Sequence, residues 1–173
     1  MGARLRSESG FLTIELMTAI VVITIAVLGL MAAYTQSFFS LHHSAKSSAA
    51  GQLAGNQLEL YASLPYVSIG LDSTTLTSTK ATDTNYSSDE SALPGSGSDV
   101  TISSCGSSAR CSPVQTLTGS DGKSYKLETF IRSLTNNSAS GWTEKVVTVV
   151  VRDRSTSGYP KVITAQTAFD HGP

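Results

Sequence analysis

From Leu16 to Ala33 the chain carries no charge, and only Thr18 and Thr24 interrupt an otherwise apolar run. At about 1.5 Å of rise per helical residue this run spans roughly 27 Å, close to the ~30 Å hydrocarbon core of a bilayer. Phe11 and Leu12 extend it at the front. The apolar pattern then thins without stopping. Tyr34, Phe38, Leu41, Ala45, Ala49, Leu53, Leu60 and Leu64 recur at spacings of three, four or seven, the period of one helix face. A single helix over residues 11–64 is predicted, apolar all round in its first half (11–33) and amphipathic in its second (34–64). Pro65 ends it by disfavouring helical geometry at Leu64. Gly51 and Gly55 each weaken it by about 1 kcal/mol relative to alanine and also allow a close neighbour.

Past the proline the pattern changes. Residues 65–124 are rich in serine and threonine and poor in apolar residues, which predicts a surface loop region with short strands near Val100–Ser103 and Gln115–Thr118. Strict alternation follows in 125–173. Tyr125, Leu127, Thr129 and Ile131 share one face; so do Val147, Val149 and Val151; so do Ile163, Ala165, Thr167 and Phe169. "TNNSASGW" and "RSTSGYP" supply the turns. The expected fold class is α+β, a long N-terminal helix packed against a C-terminal antiparallel sheet. Phe38, Leu41, Ala45, Leu53 and Leu60 are the expected cover for the sheet's apolar face. Lys126, Arg132 and Arg152 fall on its other face and are expected to point into solvent, with contact to an acidic partner or DNA as the alternative.

Composition narrows the function. A net charge of −1 over 173 residues lacks the broad cationic surface that nucleic-acid binding needs. Charge is nevertheless segregated. Between Asp72 and Asp121 six acids face two bases, and between Lys123 and Lys161 seven bases face three acids. Cys105 and Cys111, in "SCGSSARCS", predict a local disulfide in an exported chain, with free thiols or half of a metal site as the alternatives. A zinc site is disfavoured because His42, His43 and His171 lie far off in sequence, and no acidic run has calcium-loop spacing. No nucleophile motif, phosphate loop or His/Asp/Glu cluster points to catalysis, and no cofactor is implied. The sequons at Asn85 and Asn136 are short enough to arise by chance.

Glu15 is the anomaly, a carboxylate at the threshold of the apolar run. Its setting, "GFLTIEL" from Gly10 to Leu16 after the basic leader "MGARLRSESG", resembles the N-terminal signature of type IV pilins and of the pseudopilins of type II secretion. The helix exit "GQLAGNQLELYASLPYVSIG" is similar to that of PilV-like minor pilins. One departure is that Leu12 precedes Thr13, where the family usually has Ser or Thr before leucine. The resemblance implies that residues 1–10 form a cytoplasmic leader removed by prepilin peptidase between Gly10 and Phe11. It also implies that the new Phe11 amine is methylated and that Glu15 pairs with the amine of a neighbouring subunit. Implied partners are other pilin or pseudopilin subunits, the peptidase, an inner-membrane assembly platform and, before assembly, membrane lipid. Arg4 and Arg6 keep the N-terminus cytoplasmic, giving a single-pass protein of the bacterial inner membrane that later joins a pilus or pseudopilus outside. The other classes are a single-pass surface adhesin and a binding domain secreted after cleavage near Ala33.

Overall fold

A computed structural model describes residues 9–93, 97–103, 105, 108–135 and 143–170, with residues 9–12 and 135 as backbone only. The chain divides into two compact units, Met1–Ser44 and Ala45–Pro173. The first consists, where described, of the leading part of α1, a helix running Ser9–Ala62. The second holds the rest of α1 and every other element.

α1 stops three residues before Pro65, as the proline requires. Ser63 N donates to the Glu59 carbonyl and Leu64 N to the Tyr61 carbonyl, closing the last turn. A short 3-10 turn at Tyr66–Ser68 follows. Lys145 holds it in place, its ammonium donating to the Tyr66 and Ile69 carbonyls at 2.7 and 2.9 Å and lying 4.4 Å from the Tyr66 ring centre. Burial holds the Lys145 pKa below its ordinary value.

Beyond the turn come β1 (Leu71–Asp72), α2 (Ser73–Thr82), α3 (Thr84–Ala92), β2 (Ser98–Asp99), β3 (Thr101–Ile102), β4 (Val114–Thr118), β5 (Ser124–Thr135), β6 (Thr143–Asp153) and β7 (Lys161–Asp170). β5, β6 and β7 form an antiparallel meander, and β4 and β2 pair with opposite ends of β5, completing a five-stranded sheet. Thr129 lies opposite Val149 and Val149 opposite Ala165, so the apolar sets align across the strands. β1 and β3 make a separate two-residue parallel pair.

The alternation in 125–173 is realised. Tyr125, Leu127, Thr129 and Ile131 are buried with Val147, Val149 and Val151, and Ile163, Ala165 and Phe169 pack at the margin. The covering face of α1 differs from expectation. Phe38 and Leu41 are 61% and 66% exposed, and Ala45 is exposed too. Burial falls instead on Ala49, Ala50, Ala54, Gln57 and Tyr61, with Leu53 and Leu60 half-buried. The reason is steric: small side chains let the helix approach the sheet closely. A Cβ added to Gly51 would already lie 3.9 Å from Ile163.

The expected loop region contains two helices. Both are started by aspartates. The Asp72 side chain accepts from Thr75 N at 2.8 Å, and Asp83 accepts from Asn85 N and Tyr86 N, which satisfies the orphan donors of a first turn. Asp83 is at once the last cap of α2 and the first of α3. These helices also correct the reading of Lys126, Arg132 and Arg152 as solvent-facing. Tyr86 of α3 stacks on Phe130 at 4.3 Å and its hydroxyl donates to the Thr129 carbonyl at 2.8 Å. With that cover, Arg152 is buried and Lys126 and Arg132 are half-buried.

Cys105 and Cys111 lie at disulfide distance, their Cα atoms 6.1 Å apart. Their loop is fastened twice to the body of the unit: Tyr61 Oη donates to the Arg110 carbonyl at 2.7 Å, and Asp72 N donates to that of Cys111 at 2.9 Å. The turn at 136–142, with Trp142 and the Asn136 sequon, lies outside the described residues, as does His171. Asn85 is half-exposed in the first turn of α3.

Candidate functional site

Two places in the molecule hold charge in surroundings that disfavour it. The first is the head of α1. Described side chains from Thr13 to Ala45 are exposed throughout, including Ile14, Leu16, Met17, Ile20 to Ile23, Leu28, Leu30 and Met31. The polar side chains in the run are neutralised locally. Thr18 Oγ1 donates to the Glu15 carbonyl at 2.9 Å, Thr24 Oγ1 to Ile20 at 2.7 Å, and Ser37 Oγ to Ala33 at 2.9 Å. Such back-bonding leaves no donor in need of water, so a helix of this kind meets lipid or an apolar partner at little cost. α1 is long and apolar enough to cross a membrane.

Glu15 is the one acidic side chain in that stretch, and it is exposed. No ion pair reaches it among the described residues, and no lysine or arginine occurs between Ser7 and Ala45. Its nearest cationic neighbours in the sequence are thus the leader arginines or, in a shortened chain, a new N-terminal amine. Gly10 and Phe11 are described only as helical backbone, and the leader through Glu8 lies outside the described residues.

The second place escaped the sequence reading. Between α3 and the outer face of the sheet runs a chain of six charges. Lys126 pairs with Asp83 and, at 2.6 Å, with Glu128. Arg152 meets Glu128 through Nε at 3.0 Å and Asp89 through Nη2 at 2.5 Å, and Lys161 closes the row on Asp89 at 2.6 Å. Glu128 is wholly buried, and burial raises its pKa although Lys126 and Arg152 pull it down. For Arg152, burial works against the charge, but Glu128 and Asp89 outweigh it and hold the proton on. Three acids meet three bases, so the row is neutral as a whole. The sequence signals the cover on this face though not the charges: β6 reads "VVTVVV", and an unbroken apolar run marks a strand covered on both faces.

Nearby, Asp153 accepts from Ser155 N and pairs with Lys46 of α1 at 2.5 Å. Burial opposes its ionisation, yet these partners prevail and hold its pKa far below the ordinary carboxylate range.

Comparison with protein-family models, curated proteins and solved structures gives no match.

Proposed function

We propose that the chain is a type IV pilin-like subunit, a minor pilin or pseudopilin, that assembles into an envelope filament by helix bundling. The observation that carries this reading is Glu15, an acid with no ion pair among the described residues, standing near the head of an exposed helix whose leading half is apolar on every side. An all-round apolar helix must be covered by lipid or by other helices. An ionised carboxylate within it must be offset by a positive group, since placing it in lipid costs up to about 3 kcal/mol.

In this reading α1 first anchors the chain in the inner membrane with its N-terminus in the cytoplasm. Prepilin peptidase cuts between Gly10 and Phe11, and the Phe11 amine is methylated. Glu15 then draws in the amine of a neighbouring subunit and sets the register of the bundle. The unit from Ala45 onward is carried on the outside. The role is mechanical, with no chemistry assigned to the chain itself.

The test is fractionation of cells by shearing. The expected result is recovery of the chain in sheared extracellular filaments together with other pilin-like subunits. Retention of the whole population in the detergent-extracted membrane fraction would instead support a single-pass surface protein.

A further inference from the structure

We propose that the cleft between the α2–α3 junction, β4 and the β6–β7 turn binds a saccharide bearing a carboxylate, of the uronic acid class. The cleft is open to solvent, offers about 450 Å3 and is lined by Asp83, Asn85, Thr116, Lys126, Arg154 and Tyr159, among others. That volume lies within the roughly 300–1,000 Å3 range of small-molecule sites.

Charge comes first. The Lys126 ammonium is already engaged by Asp83 and Glu128. Arg154 is exposed and forms no ion pair among the described residues; its Nη1 donates to Thr116 Oγ1 at 3.2 Å. The cleft therefore carries one uncompensated guanidinium, whose planar fork suits a carboxylate.

The second observation is Tyr159, the one described non-glycine residue with positive φ, at 47°. Backbone of this kind is disfavoured for a bulky side chain and persists where its surroundings enforce it. Here the buried Arg152 does so, Nη1 donating to the Tyr159 carbonyl at 2.8 Å, while Tyr159 N donates to the Thr156 carbonyl at 3.2 Å. The enforced turn holds an aromatic side chain, 38% exposed, at the cleft. An aromatic surface for a sugar's C–H face, an amide and hydroxyls for its ring oxygens, and a fork for an acid group together form a recognition set. A bare anion would leave the ring without a role.

The experiment is saturation-transfer NMR on the full chain in detergent micelles, with digalacturonate and neutral digalactose as probes. Digalacturonate is expected to bind about tenfold more tightly than digalactose, the worth of one charge-assisted contact. Arg154→Gln should erase that preference. Tyr159→Gly, which suits the left-handed backbone, should leave thermal unfolding unchanged while weakening both probes about tenfold. Absence of transfer to digalacturonate, equal binding of the two sugars, unaltered binding in both variants, or displacement by equimolar inorganic phosphate would each overturn the proposal. None of these outcomes touches α1, so failure here is distinguishable from failure of the filament reading.

Discussion

Glu15→Ala is expected to leave membrane insertion and leader removal intact while lowering recovery in sheared filaments by roughly a hundredfold or more. The magnitude follows from the cost of stranding one member of a buried charge pair, about 3–5 kcal/mol, at 1.4 kcal/mol per factor of ten. Insertion itself should not suffer, because the substitution removes a group that lipid disfavours. A purely local role for Glu15 predicts a much smaller effect. The helix dipole is worth about 0.3–1 kcal/mol to an acid in a first turn. Glu15 lies beyond the first turn of α1, which begins at Ser9, so a dipole role predicts at most a few-fold loss. Quantitative blotting of sheared and membrane fractions separates the two. A loss below about fivefold would sink the pairing mechanism.

Arg152→Leu is expected to destabilise the unit from Ala45 onward by about 3–5 kcal/mol near neutral pH. Arg152 is the central cation of the six-charge row. Removing it leaves Glu128, which is 0% exposed, with Lys126 alone and the buried Asp89 with Lys161 alone, so that three acids face two bases. The pH dependence has a definite sign. Burial already lifts the folded-state pKa of Glu128 above its unfolded value, and loss of Arg152 lifts it further. A raised folded pKa gives stability that is complete below the unfolded value, about 4.3, and is lost as pH rises through the folded one. The deficit of the variant should therefore be smaller near pH 5 than near pH 8. Chemical denaturation in micelles at both pH values checks this. Loss of less than about 1 kcal/mol, or an identical loss at both pH values, would show the row to be an ordinary solvated surface network.

The parts of the fold that could be read from the sequence are those with a strong local period. The strands of the meander announce themselves by alternation, and the reach of α1 follows from the apolar run and Pro65. α2 and α3 did not, because their Ser/Thr-rich segments have weak helix propensity and are organised by two aspartate caps and by Tyr86 packing on Phe130. On α1 the expected cover holds for Leu53, which packs against the core, and fails for the large apolar Phe38 and Leu41, which are exposed. The sheet is met instead by Ala49, Ala50 and Ala54, whose small size sets the distance of approach. Glu15 was legible because a lone acid in an apolar run is a local anomaly. The charge row and the cleft were not. Asp83, Asp89, Lys126, Glu128, Arg152 and Lys161 come from α3 with its cap and from three strands, and only the tertiary fold brings them together.

The mass and N-terminal sequence of the mature chain isolated from membranes test most directly whether a free amine is generated beside Glu15. A polypeptide beginning at Phe11 with a methylated amine, and retaining Leu16 to Ala33, is the predicted result. A chain that still carries residues 1–10, or one that begins near Tyr34, would contradict it.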